Sequence, residues 1–422
     1  MKILVKQAKI VDPSSPFNGQ TVPVFIENGI IRQIGNEAVS ADQVIDLPGL
    51  HLSPGWTDLF AQFGDPGLEY KETIESGAAA AAAGGFTDVV VIPNTKPVVH
   101  NKAAVEYLVQ KSRSLPVNVH PMGAVTREAE GRELAEMYDM RASGAIVFGD
   151  GLHPIQSAGL LVKALQYIKA FDGLLIQVPE DRSINPHGLM NEGIVSTRLG
   201  LPGKPVLAEE LIVARDIELA AYAGSRLHFT GISAGVSLEL IRKARAKGNT
   251  LISCSVTPAH LFFSDEDLQE YDTNLKVNPP FRTSADRKAL QQAITDGTID
   301  TIASHHLPHE YDSKVVEFEY AKSGMTSLET VYAVLRTALP GVSQEKWVEL
   351  LSVNPAKLIG LPAKTIREGE PASLTLFQPD VQWTVGTASL RSRSRNTPFL
   401  GQTLTGKVAG IIHKNQVVLN QA

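Results

Sequence analysis

Trp56-Thr57-Asp58-Leu59-Phe60, Ala78-Ala79-Ala80-Ala81-Ala82-Ala83 and Val89-Val90-Val91-Ile92 follow one another as apolar run, helix former and apolar run. A buried strand, an alanine helix small enough to lie close on a sheet, and a second strand make one unit of a parallel β/α architecture. The unit recurs. Further candidate strands are 117–122, 145–148, 174–178, 227–230, 251–256 and 301–303, each followed by a segment of helical period. Eight such units predict a (β/α)8 TIM barrel over residues 54–362, within the usual span of roughly 200 to over 400 residues for that fold. A doubly wound sheet would carry Gly-x-Gly-x-x-Gly after an early strand, and none is present.

Outside the barrel the texture changes. Residues 1–53 read as short strands, Ile3 to Val5, Val22 to Ile26, Ile30 to Ile34 and Val44 to Leu47, with Asn28-Gly29 as a hairpin turn. Residues 363–422 read alike, with Ser373 to Phe377, Gly406 to His413 and Gln416 to Leu419, the last two around Lys414-Asn415. Both ends are β-rich, so residues 1–53 and 363–422 are expected to pair into one small β-domain.

The chain has 422 residues, 43% hydrophobic and 20% charged, a globular composition. A net charge of −6 offers nothing to a phosphate backbone or an anionic lipid surface, so neither nucleic acid nor membrane is an expected partner. One cysteine, Cys254, excludes an internal disulfide framework and points to a cytoplasmic home, where it reads as a small buried side chain. Lysines interrupt the apolar start Met1 to Gln7 too early for a signal-peptide core.

In a barrel enzyme the reactive groups follow the C-terminal ends of the strands. Here those places hold Asp58 to Gly67 and Glu69 to Gly77, then Pro93-Asn94-Thr95-Lys96-Pro97 and, further on, Met190-Asn191-Glu192-Gly193, Arg198-Leu199-Gly200-Leu201-Pro202, Asn278-Pro279-Pro280, Asp296 to Asp300 and Ser394 to Phe399. In that order, and with Gly84-Gly85-Phe86-Thr87, these segments resemble the dihydroorotases of the amidohydrolase superfamily, almost from end to end. The resemblance implies a metal-dependent hydrolase barrel with a β-sandwich built from both chain ends, acting on the dihydroorotate ring in pyrimidine biosynthesis. Such chemistry needs a metal to activate water and polarise the amide, with a base beside it.

The ligand positions that the resemblance assigns are altered. The His-x-His after the first strand falls on Phe60-Ala61-Gln62, the histidine after the fifth on Val178, and the one after the sixth on Gly231. The carboxylate-gripping arginine falls on Gly64, and the catalytic aspartate after the eighth strand on His305, in His305-His306-Leu307-Pro308-His309. Neither phenylalanine, valine nor glycine ligates zinc, and an amide oxygen is a poor ligand for it. No metal or other cofactor is therefore expected. His305, His306, His309, Asp150 and Asp58 are the candidates should a zinc bind after all, His305 and Asp150 the candidate catalytic groups, and Asn94, Asn278 and His309 the surviving substrate-contact positions. Each has a plainer reading: polar filling of a vacated pocket for the histidines, loop capping for the aspartates, turn formation for the asparagines.

Two functions follow from different classes. One is a non-catalytic dihydroorotase-like protein acting as a partner of aspartate carbamoyltransferase, as some members with lost ligands do, or as a homo-oligomer. The other is an active cyclic-amide hydrolase with an atypical site. Arg391, Arg393 and Arg395, alternating with Ser392 and Ser394, read as a solvated loop or protein contact, and the Glu128 to Glu136 cluster as a solvated helix face.

Overall fold

A computed structural model describes residues 1–35 and 40–420. All eight expected strands form. They are Trp56–Ala61, Phe86–Val91, Asn118–Gly123, Val147–Phe148, Leu174–Gln177, Arg226–Phe229, Ile252–Val256 and Thr301–Ile302, the first to eighth barrel strands below. They lie side by side in chain order and in parallel register. A parallel bridge from Ala61 to His306, with the Gln62 N–H donating to the His306 carbonyl at 2.8 Å, closes the ring between first and last. The helix Ile74–Ala83 starts at an N-cap, Thr73, whose hydroxyl accepts the Ser76 N–H at 3.1 Å. Its alanines 78, 80, 81 and 82 are fully buried, the close packing that their size permits.

The barrel interior divides into two halves. Leu59, Phe60, Val90, Met122, Ile176 and Val178 form an apolar cluster, whereas His228, Thr230, Ser253 and Ser255 are buried polar side chains on the sixth and seventh strands and just beyond them.

Both chain ends join in a single sheet of eight strands. Its path runs Gln416–Leu419, Thr403–His413, Leu374–Thr384, His51–Pro54, Lys2–Ile10, Thr21–Glu27 and Ile30–Ile34, with Gln43–Ile45 also on Lys2–Ile10. The sandwich that the resemblance implies is thus one continuous hydrogen-bonded sheet around a shared core of Ile3, Val5, Ile10, Leu52, Leu374 and Ile412. The strand that joins its halves, His51–Pro54, was not foreseen. It pairs with Lys9 and Ile10 on one side and antiparallel with Leu374 to Phe377 on the other. Both predicted turns form, with left-handed φ at Asn28, Gly29, Lys414 and Asn415.

One expectation needs correcting. The Glu128 to Glu136 stretch is not a helix face: a 3-10 turn, Arg127–Ala129, is followed by irregular chain, and the α-helix starts only at Met137. Left-handed backbone at Glu128, Ala129 and Gly131 prevents a continuous helix, although Glu128, Glu130, Glu133 and Glu136 are exposed as expected.

Candidate functional site at the barrel mouth

Phe60, at the end of the first strand, is buried and stacks on the His305 imidazole, with ring centroids 4.3 Å apart. The His305 Nε2 lies 2.8 Å from the Thr230 hydroxyl. Behind it runs a chain of buried partners. Ser255 donates to Thr230 at 3.0 Å, His228 Nε2 is 3.0 Å from Ser255, and His228 Nδ1 is 2.9 Å from Ser253. Burial pushes His228 and His305 down to about 3, so both rings are neutral near pH 7. Neutral rings let every hydroxyl in the series donate once: Ser253 to His228, His228 to Ser255, Ser255 to Thr230 and Thr230 to His305. In this arrangement the unprotonated nitrogen of each ring, His228 Nδ1 and His305 Nε2, accepts a hydroxyl proton and so is not free to ligate a cation.

Gly231 lies at φ +73°, and a Cβ added there would sit 2.6 Å from the His305 ring. A histidine at 231 and the present His305 therefore compete for one volume. Gly64 is closed in a different way: its Cβ would come 2.4 Å from the Leu68 carbonyl oxygen, backbone that cannot swing aside like a side chain. An arginine cannot enter without moving that loop. Val178 is buried in the apolar half, and the Gln62 amide donates to the Asn94 carbonyl at 2.8 Å.

The three histidines after the eighth strand diverge. The Ser327 N–H donates to His306 Nδ1 at 3.1 Å, which leaves Nε2 carrying the proton toward Glu72, 3.4 Å away. His309 Nε2 is 3.0 Å from the Ser323 carbonyl, and its Nδ1 is 3.4 Å from the Lys71 ammonium. Burial and the neighbouring Lys71 charge lower His309 to about 4. Asp58 caps the loop beyond the eighth strand, accepting the Ser304 N–H at 2.6 Å and hydroxyl at 2.7 Å. Asp150 does the same for Thr126, whose N–H lies at 2.9 Å, and burial raises its carboxyl to about 6. Among the described residues no three histidine, cysteine, aspartate or glutamate side chains converge as a metal site. The donor set does not fit the zinc that the resemblance implies.

Asn94 and Asn278 are also engaged. Asn94 donates to the Asp150 carbonyl at 3.1 Å and accepts the Leu152 N–H at 2.9 Å. Asn278 accepts from Lys204 at 2.7 Å and donates to Glu180 at 2.9 Å, while Lys204 and Glu180 form an ion pair. Asn278, Lys204 and Glu180, together with Val178, His305 and Leu307, line a cleft of about 450 Å³ at the mouth, and Asn94 does not reach it. Sequence reasoning missed the Lys204–Glu180 pair and the His228 series. The signal for the series was polar residues two apart within otherwise apolar strands, His228 and Thr230, Ser253 and Ser255.

The same fold, a closed parallel barrel beside a sheet made from both chain ends, is found in solved structures that match this chain over nearly its whole length. The L-hydantoinase (dihydropyrimidinase) of Arthrobacter aurescens has a TM-score of 0.86, with 24% identity over 100% of this chain and 96% of that one. The dihydropyrimidinase of Brevibacillus agri has a TM-score of 0.82, with 22% identity over 100% of this chain and 95% of that one. A family model described as dihydro-orotase-like matches residues 49–237. Proteins named dihydroorotase from Syntrophus aciditrophicus and Geobacter metallireducens are 39% and 40% identical, over at least 99% of this chain and of theirs. The chain belongs to the dihydroorotase family.

Proposed function

We propose that this family member has lost metal-dependent ring hydrolysis and works by association, as a structural partner of aspartate carbamoyltransferase, with further copies of itself, or both. The observation that carries the loss of catalysis is the Phe60–His305 stack beside Gly231, which fills with carbon and a neutral ring the space where imidazole ligands would meet. The scaffold outlives the chemistry because packing, not metal ligation, holds the barrel together, and surfaces for association do not need the lost ligands. Elemental analysis of protein purified without chelator should find far less than one zinc per chain, and a dihydroorotate assay no turnover above background. Co-purification should bring down the carbamoyltransferase, whose assembly should fail when this chain is deleted. A stoichiometric zinc lost on His305→Ala would refute the metal-free reading.

The second reading, an active dihydroorotase with an atypical site, draws on the full-length identity to proteins that carry that name. It would have His305 or Asp150 act as a base. The same assay separates the two, since turnover abolished by His305→Ala or Asp150→Asn belongs to the second reading alone.

A further inference from the structure

We infer that the chain carries a second ligand site, between the barrel and the β-domain, which takes a free α-amino acid with an apolar side chain. Glu329 receives the ammonium, Arg391 the carboxylate and Trp383 the side chain. The site shares no lining residue with the cleft at the mouth, so it goes beyond the association reading and holds whether or not the mouth turns over a substrate.

A pocket of about 380 Å³ opens where the end of the helix Ile74–Ala83 and the turn Leu328–Thr330 meet the strands Leu374–Thr384 and Thr403–His413. Its lining combines apolar surface with a few charged groups, the usual make-up of a small-molecule site. Hydrogen bonds fix the walls. Trp383 Nε1 donates to the Gly406 carbonyl at 2.9 Å, and the Asn420 amide donates to the Ala83 and Val408 carbonyls at 2.8 and 2.9 Å. A wall held in this way reduces the entropy lost when a ligand docks.

Glu329 is the group in this pocket that the fold leaves incomplete. It is 9% exposed, and its carboxylate accepts the backbone N–H groups of Arg391 and Ser392. Those donors use two of the roughly four positions that a carboxylate offers. Among the described residues no lysine, arginine or histidine forms an ion pair with it. A buried carboxylate without a counter-charge is costly, and burial raises this one to about 7. An ammonium placed against it supplies the missing charge.

Arg391 provides the other half. Leu390 and Ser392 on either side of it are buried, whereas Arg391 is exposed and lines the pocket. Its backbone N–H is bound to Glu329, yet its guanidinium pairs neither with that carboxylate nor with any other described residue. Two opposite charges therefore flank one small volume without neutralising each other. A ligand with one charge satisfies one of them; a zwitterion satisfies both. The ammonium and carboxylate of an α-amino acid sit on a single carbon, close enough to meet two groups anchored at the same residue. Trp383, Val408 and Ala388 in the lining favour an apolar side chain over a charged one.

L-phenylalanine is the probe, titrated into the full chain and followed by isothermal calorimetry and by tryptophan fluorescence. Trp56 and Trp347 are buried outside the pocket, so a signal lost in Trp383→Phe reports the site. Saturable binding with a Kd of about 1 mM or tighter is expected. 2-Phenylethylamine, which lacks the carboxylate, and 3-phenylpropanoate, which lacks the ammonium, should each bind about tenfold more weakly or worse. Glu329→Gln should weaken L-phenylalanine but not 3-phenylpropanoate, and Arg391→Gln should weaken L-phenylalanine but not 2-phenylethylamine. Circular dichroism checks that the variants fold, and the exposed Arg391 keeps the test open should Glu329→Gln fail to fold. No saturable binding up to about 10 mM, analogues that bind as tightly as the amino acid, or indifference to Arg391→Gln would overturn the inference. The zinc and dihydroorotate assays judge the proposed function separately, so either can fail without the other.

Discussion

Three residues, Phe60, Gly231 and His305, meet at the mouth. Phe60 supplies the face on which His305 stacks, and Gly231 leaves the room that His305 occupies. Under the proposed loss of ligands, placing a histidine at one of these positions at a time should not create a metal site, because they share one volume. Phe60→His with Gln62→His should bind no stoichiometric zinc and show no dihydroorotate turnover above the parent, because Val178, Gly231 and Gly64 still lack the remaining groups. Gly231→His should destabilise the fold by about 2–4 kcal/mol in urea denaturation, the sum of left-handed strain and overpacking against His305. His305→Ala in the same chain should recover part of that loss by removing the ring in the way.

At the scale of elements, Glu329 joins the start of a helix to the segment that carries the arginines. Its carboxylate accepts the backbone N–H groups of Arg391 and Ser392. Burial raises it to about 7, above the ordinary 4.5. The folded protein thus binds this proton more tightly than the unfolded chain does. The stability gained is fully present below pH 4.5 and is lost as pH rises through about 7. Urea midpoints at pH 5 and pH 8 should differ in that direction, and Glu329→Gln should flatten the difference.

Across the whole molecule, Lys364 pins the β-domain side of the chain to the base of the barrel. It donates to the Gly55 carbonyl at 3.1 Å and the Thr87 hydroxyl at 2.9 Å, and pairs with buried Asp88. That charge, with His120, holds the Asp88 carboxyl well below its ordinary range. Lys364→Met should cost about 2–3 kcal/mol in the same denaturation assay, less than the 3–5 kcal/mol of a fully unpaired buried charge. The shortfall is set by His120 and Asn118, which still reach Asp88 at 2.8 and 2.9 Å.

Much of this was legible in the chain because it rests on local pattern. The eight strands follow from short apolar runs and the hairpins from Asn28-Gly29 and Lys414-Asn415, while the inability of Phe60, Val178 and Gly231 to ligate a metal follows from identity alone, since their side chains have no donor to offer. What lies between distant residues was not legible. His51–Pro54 is a strand only because Lys2–Ile10 and Leu374–Thr384 arrive on its two sides. Three histidines within five positions looked like a cluster, yet each finds a different partner: Thr230, Glu72 or Ser323. Spacing along a chain limits how far apart side chains are but not where they point. Direction is set by closure of the barrel, which brings Phe60, Thr230 and His305 together from three separate strand ends. The sequence by itself determined which side chains stand at the strand ends; only the tertiary structure decided how they fill the mouth, because that filling is a matter of volume and hydrogen-bond geometry shared between residues far apart in the chain.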